Sequence, residues 1–118
     1  MQSTAENNIE ALLRAISFDE YEKLDTLINE VGDVNSKDKN GQTALHRASS
    51  CGRVKFVEHL LGRGADVDIA DIDGNTALHF TVLWNKPKVV EILIRAKANP
   101  DLENHKGKTP FQIAKEKK

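Results

Sequence analysis

The sequence predicts an all-α solenoid of stacked helix-turn-helix units joined by β-hairpin-like turns, on three observations. The first is a repeat. Asn40-Gly41-Gln42-Thr43-Ala44-Leu45-His46 recurs as Asp73-Gly74-Asn75-Thr76-Ala77-Leu78-His79 and, weakened, as Lys106-Gly107-Lys108-Thr109-Pro110-Phe111-Gln112, so that Thr43, Thr76 and Thr109 stand 33 residues apart. The second is the order of signals inside each unit, which runs turn, helix, turn, helix. The third is composition: 118 residues, 39% hydrophobic and 30% charged, describe one soluble folded chain and not a disordered, fibrous or membrane one.

The repeat divides the chain into a divergent first unit over residues 1–37, full units at 38–70 and 71–103, and a partial unit at 104–118, all in one domain. In the first unit the apolar run Leu12, Leu13, Ala15 and Ile16 predicts a first helix, although the Gly-x-Thr turn is replaced by Asn8-Ile9-Glu10. Such degeneracy suits an N-terminal cap, which has no neighbour on its outer side. Asp19 and Glu22 have capping-box spacing ahead of Leu24, Leu27 and Ile28, which predicts a second helix opened by Asp19. Thr43 and Thr76 follow a turn glycine and open apolar runs, so each reads as a helix N-cap. Gly52 ends the short helix that follows in the second unit, and Asn85, which tolerates left-handed geometry, ends the one in the third. Val54, Phe56, Val57, Leu60 and Leu61 then have helical spacing, as do Val89, Val90, Leu93 and Ile94 behind Pro87. Turn-rich Gly62-Arg63-Gly64-Ala65-Asp66-Val67-Asp68 closes the second unit; the corresponding Lys97-Ala98-Asn99-Pro100-Asp101 lacks the glycine.

Charge and cysteine usage narrow the function classes. The net charge of −1 argues against a purely electrostatic nucleic-acid binder. It is unevenly spread: residues 1–37 sum to −5, 38–103 to zero and 104–118 to +4, a dipole along the chain that can orient a partner. The single Cys51 excludes an internal disulfide framework and reads as a small packed thiol, although Arg47 and Arg53 lie near it in sequence. Neither a secretory leader at Met1-Gln2-Ser3-Thr4-Ala5-Glu6 nor an apolar run of membrane-spanning length is expected, so a reducing compartment, cytoplasm or nucleus, is the expected location. Catalytic motifs are missing: there is no phosphate loop, no His-Glu-x-x-His and no nucleophile elbow. His46 and His79 hold the same place in consecutive units, which stacking sets roughly 10 Å apart, too far to share one zinc ion at about 2 Å per bond. Asp71 and Asp73 read as turn residues. No cofactor and no metal are expected.

Thr43-Ala44-Leu45-His46-Arg47-Ala48 resembles the Thr-Pro-Leu-His-x-Ala segment of the ankyrin repeat family, with alanine for proline, and the 33-residue period and the Gly64-Ala65-Asp66-Val67-Asp68 turn are similar to that family's. The likeness covers nearly the whole chain as about three and a half repeats. Lys115-Glu116-Lys117-Lys118 is then either a polar C-terminal cap or a point inside a longer array. The resemblance implies a histidine that braces its turn, and a concave face of turn tips and first helices that binds another protein without catalysis, as an adaptor or an inhibitor. It also implies that an oxygen-dependent asparaginyl hydroxylase could modify a turn asparagine eight residues after a leucine; Leu27 with Asn35 is the best such pair, ahead of Leu60 with Asp68 and Leu93 with Asp101.

Transferred to this chain, the face comprises the tips Lys39, Asn40 and Gln42, then Ile72, Asp73 and Asn75, then His105, Lys106 and Lys108, with the helix-end pairs Ser50-Cys51 and Leu83-Trp84. Where the second unit has Lys39, Ser50 and Cys51, the third has Ile72, Leu83 and Trp84. That contrast places the centre of the surface on Ile72, Leu83 and Trp84, with Lys39, Arg47, Asn75 and Lys108 as its polar surround. The competing arrangement folds Trp84 onto Phe80 or into the space a glycine at Asn85 would leave. Two other functions compete with a monomeric protein-binding module. One is an anionic-surface binder, for nucleic acid or lipid headgroups, through Lys106, Lys108, Lys115, Lys117 and Lys118; the other is the targeting domain of a larger enzyme.

Overall fold

A computed structural model describes residues 4–117 of the chain. Met1–Ser3 of the stretch read for a leader, and Lys118 of the basic segment, lie outside the described residues. Among the described residues seven α-helices follow one another: α1 (Thr4–Ser17), α2 (Leu24–Val31), α3 (Ala44–Cys51), α4 (Val54–Gly62), α5 (Ala77–Leu83), α6 (Pro87–Arg95) and α7 (Pro110–Glu116), with a short 3-10 turn at Tyr21–Lys23 before α2. The first helices α1, α3, α5 and α7 stack in one layer, and each of α2, α4 and α6 packs against the first helix of its own unit. The stack is elongated, 41 × 29 × 22 Å. Its core runs continuously from Leu12 and Ile16 through Leu45, Phe56 and Leu60 to Leu78, Val89 and Leu93, so no unit buries its apolar face alone.

Helices α3, α5 and α7 each open behind a threonine, the first two of them the predicted N-caps. Thr43 and Thr76 accept from the backbone N–H of His46 and His79, whose rings accept in return from the threonine N–H, and Thr109 does the same with Gln112. These are capping boxes, with histidine in place of glutamate in the first two and glutamine in the third. The helices end as predicted at Gly52 (φ 68°) and Asn85 (φ 56°).

The first unit departs from expectation at Asp19. It does not cap α2; it adopts φ 61° just beyond α1, and α2 begins at Leu24 behind Lys23 with no side-chain cap. The reason lies in the repeat. Asp19, Gly52 and Asn85 are equivalent positions, and the residues after them make equivalent bonds: Glu20 N–H to the Ala15 carbonyl, Arg53 to Ala48 and Lys86 to Thr81. A residue that must turn left-handed to end α1 cannot also hold the extended conformation of an N-cap.

The closing turns show the same economy with one strained member. Gly64 (φ 92°) and Lys97 (φ 71°) are equivalent, and lysine there places a Cβ in the left-handed region. Lys97→Gly is expected to stabilise the fold by about 0.5–1 kcal/mol, a rise of a few degrees in the melting temperature. A melting curve at or below that of the wild type would show that this turn carries no strain.

Candidate functional site

Three hydrogen-bonded ladders hold consecutive units in register and so place the turn tips. At each tip a single residue organises the hairpin: Asp38, Asp71 and Asn104 each accept two backbone N–H groups of their own turn through one side-chain oxygen. Successive tips are joined by one backbone bond, Ile72 N–H to the Asn40 carbonyl (3.0 Å) and His105 N–H to the Asp73 carbonyl (2.9 Å). That approach requires glycine at Gly74, where a Cβ would stand 2.8 Å from the His105 nitrogen.

The histidines form the second ladder. Because His46 Nδ1 accepts the Thr43 N–H, the ring's proton sits on Nε2, which donates to the Asn75 carbonyl of the next unit at 2.9 Å. His79 repeats the arrangement with the Lys108 carbonyl. Burial holds the His46 pKa below the ordinary histidine value of 6.5, opposed by the Asn75 bond and the nearby Asp71. On the closing-turn side Asn35 accepts the Asp66 N–H (2.8 Å) and Asp68 accepts the Asn99 N–H (2.9 Å), the third ladder. Asp25 of α2 meets His59 of α4 and Arg63, just beyond the end of α4, at 2.6 and 2.8 Å; the hydrogen bond from His59 is the main cause that lowers its pKa.

On this frame Ile72 is 59% exposed, Leu83 40% and Trp84 58%. Leu83 and Trp84 adjoin at the C-terminal end of α5, whereas Ile72 precedes its N-terminus, so the seven-residue helix, about 10 Å long, lies between them. The three form a strip along α5 and not a single cluster. Trp84 pairs with no other aromatic ring among the described residues; the Phe80 ring instead stands edge-on to His46, centroids 5.6 Å apart.

The proposed polar surround divides. Lys39, Asn40 and Asp73 are exposed at the tips. Gln42 is half-buried within its hairpin. Asn75 is half-buried, and its side-chain oxygen accepts from the Asn104 amide. Arg47 reaches back to donate to Ser17 Oγ (2.7 Å), and Lys108 pairs with Glu116. Arg53 also donates to Ser17, through its carbonyl, so both guanidinium groups near Cys51 in sequence are held by Ser17.

One residue of the surface escaped the sequence reading. Phe18 is 70% exposed and stands at the end of α1 as Cys51 does at α3 and Trp84 just beyond α5. Phe18, Cys51 and Trp84 are successive members of one row, 33 residues apart. The period, extended one unit back from Cys51, would have found it; the sequence reading compared these helix-end positions only between the second and third units.

Among the described residues no three or more His, Cys, Asp or Glu side chains gather as a metal site, and no helix is long and apolar enough to cross a membrane. A family model for ankyrin repeats in many copies matches residues 27–81, and a model for the single ankyrin repeat matches residues 73–105. No curated protein is similar enough to be matched to the chain. Ankyrin repeats generally mediate protein–protein interaction and are typically without catalysis. Together the two models span residues 27–105, and the chain belongs to the ankyrin repeat family.

Proposed function

We propose that the chain is a non-enzymatic protein-binding module, an adaptor or an inhibitor, that engages its partner through the turn tips and the first-helix face and acts as a monomer in the cytoplasm or nucleus. The observation that carries this reading is the exposure of Trp84, Leu83 and Ile72 on the third unit, where the second unit has Cys51, Ser50 and Lys39. Large apolar side chains left in solvent on a frame that does not need them there mark a binding surface. Affinity capture followed by crosslinking mass spectrometry tests it. Crosslinks to the partner are expected from the tip amines Lys39 and Lys106; crosslinks confined to Lys55, on the second-helix layer, would refute this face.

Asn35 is proposed as a hydroxylation site within the same reading. Its side-chain oxygen already holds the Asp66 N–H, the role Asp68 plays one unit on, and a hydroxyl on its Cβ leaves that bond intact. Incubation with an asparaginyl hydroxylase and its cosubstrates is expected to add one oxygen at Asn35 by peptide mass spectrometry. An unmodified peptide, under conditions that modify a control ankyrin substrate, would refute the site.

A further inference from the structure

A row of side chains crosses the ends of the first helices, one from each of the first three units: Phe18, Cys51 and Trp84. They leave the stack on the same side, because equivalent backbone bonds close each helix. Phe18 N–H reaches the Arg14 carbonyl as Trp84 N–H reaches that of Phe80, and the left-handed residues that follow, Asp19, Gly52 and Asn85, bond back to Ile16, Ser49 and Val82. Phe18 is 70% and Trp84 58% exposed. A first helix is stacked on either side of α5, so Trp84 stands in solvent within the array and not at its end. Small Cys51, between the two aromatics, is half-buried. With units stacked roughly 10 Å apart, Phe18 and Trp84 lie about 20 Å from each other.

Cations occupy the interval. The second and third units each lay one over the helix end before it: Arg53 donates to the Ser17 carbonyl (2.8 Å), beside Phe18, and the stem of Lys86 lies against Gly52, beside Cys51. Arg47 brings a second guanidinium to Ser17, at its Oγ (2.7 Å). Cations suit helix C-termini, which accounts for where they sit and leaves their charge unanswered. The hydroxyl and the carbonyl that hold the two arginines are neutral. Among the described residues the only carboxylate paired with any of the three cations is Asp19, 3.8 Å from Arg53.

We infer that this row, as part of the proposed first-helix binding face and resting on that reading, takes an extended acidic segment of the partner protein. One apolar side chain of the segment packs on Phe18 and another on Trp84, and carboxylates between them meet Arg47, Arg53 and Lys86. The separation of about 20 Å equals about six residues of extended chain, whose alternate side chains face one side. An amphipathic helix fits poorly, since its apolar stripe recurs about every 5.4 Å and would lie on the cations. Single-stranded nucleic acid also fits poorly. It carries charge at every nucleotide, and Phe18 belongs to the unit whose residues 1–37 sum to −5.

The probe is a fluorescein-labelled synthetic peptide with leucines at that separation and glutamates alternating with serines between them, titrated against the full chain by anisotropy. Saturable binding is expected, weakened about tenfold or more by Phe18→Ala, by Trp84→Ala and by Lys86→Glu, and weakened by salt. Lys55→Glu makes the same charge change on the second-helix layer and is expected to leave the affinity within about twofold. Phe18, Trp84 and Lys86 lie outside the buried core, and thermal melting checks that each variant folds. Absence of saturable binding, equal binding of a peptide with lysine in place of glutamate, or equal weakening by Lys55→Glu and Lys86→Glu would overturn the inference. A single-stranded oligonucleotide that binds and is weakened by the same variants would put nucleic acid on the row instead, and self-association in sedimentation that Phe18→Ala abolishes would put a second copy there; either equally overturns it. A captured partner lost to Trp84→Ala but held at wild-type affinity by both Phe18→Ala and Lys86→Glu would overturn it while leaving the proposed face in place.

Discussion

Replacing His46 by alanine is expected to destabilise the array by about 3 kcal/mol and to lower its melting temperature by roughly 10 °C. The ring is 2% exposed and does three jobs at once. Its Nδ1 accepts the Thr43 N–H, its Nε2–H binds the Asn75 carbonyl, and the ring packs perpendicular to that of Phe80. Alanine strands a backbone donor and a backbone acceptor, and leaves a cavity between the second and third units. A graded series separates these roles. Gln112 closes the fourth unit's box through its own side-chain oxygen, accepting the Thr109 N–H at 2.8 Å, so His46→Gln should recover about 1 kcal/mol of capping without restoring the bridge to Asn75.

The same residue makes stability pH-dependent, with a definite sign. Burial lowers the His46 pKa in the folded chain below 6.5, so below that pH the unfolded chain binds the extra proton more readily. The contribution of the neutral ring is complete above pH 6.5 and is lost as the pH falls beneath it. Chemical denaturation at pH 7.5 and 5.5 should show the wild type losing more stability than His46→Gln. A His46→Ala variant that melts with the wild type would remove the histidine ladder as the element that joins the units.

Trp84→Ala is expected to melt within a few degrees of the wild type and to lose about 2 kcal/mol, roughly thirtyfold, in affinity for the captured partner. The side chain is 58% exposed and stands beyond the last turn of α5, where its backbone N–H closes the helix on the Phe80 carbonyl; alanine keeps that bond. Truncation of a core tryptophan would instead cost roughly 3–5 kcal/mol of stability with no separate effect on binding. Calorimetric melting and a titration on the same two proteins decide between the outcomes. A folded variant that binds its partner with wild-type affinity would exclude Trp84 as an anchor.

The repeat, the helices within it and most of their ends were legible in the residues alone. The signals that set them, a threonine box, a glycine or asparagine that turns left-handed, and apolar pairs four apart, act over a few neighbouring residues and repeat every 33. Local grammar failed at Asp19, where one residue satisfied two motifs and the stacking of units chose between them. Contacts between units were beyond it altogether. That Asn75 and Lys108 lend their carbonyls to histidines 29 residues earlier, and that Arg47 reaches back to Ser17, depends on how far each unit is rotated over the next. Phe111 makes the point most plainly. It occupies the position at which Leu12, Leu45 and Leu78 are buried, yet it is exposed, because a side chain's burial is set by the element that covers it and not by its own place in the repeat.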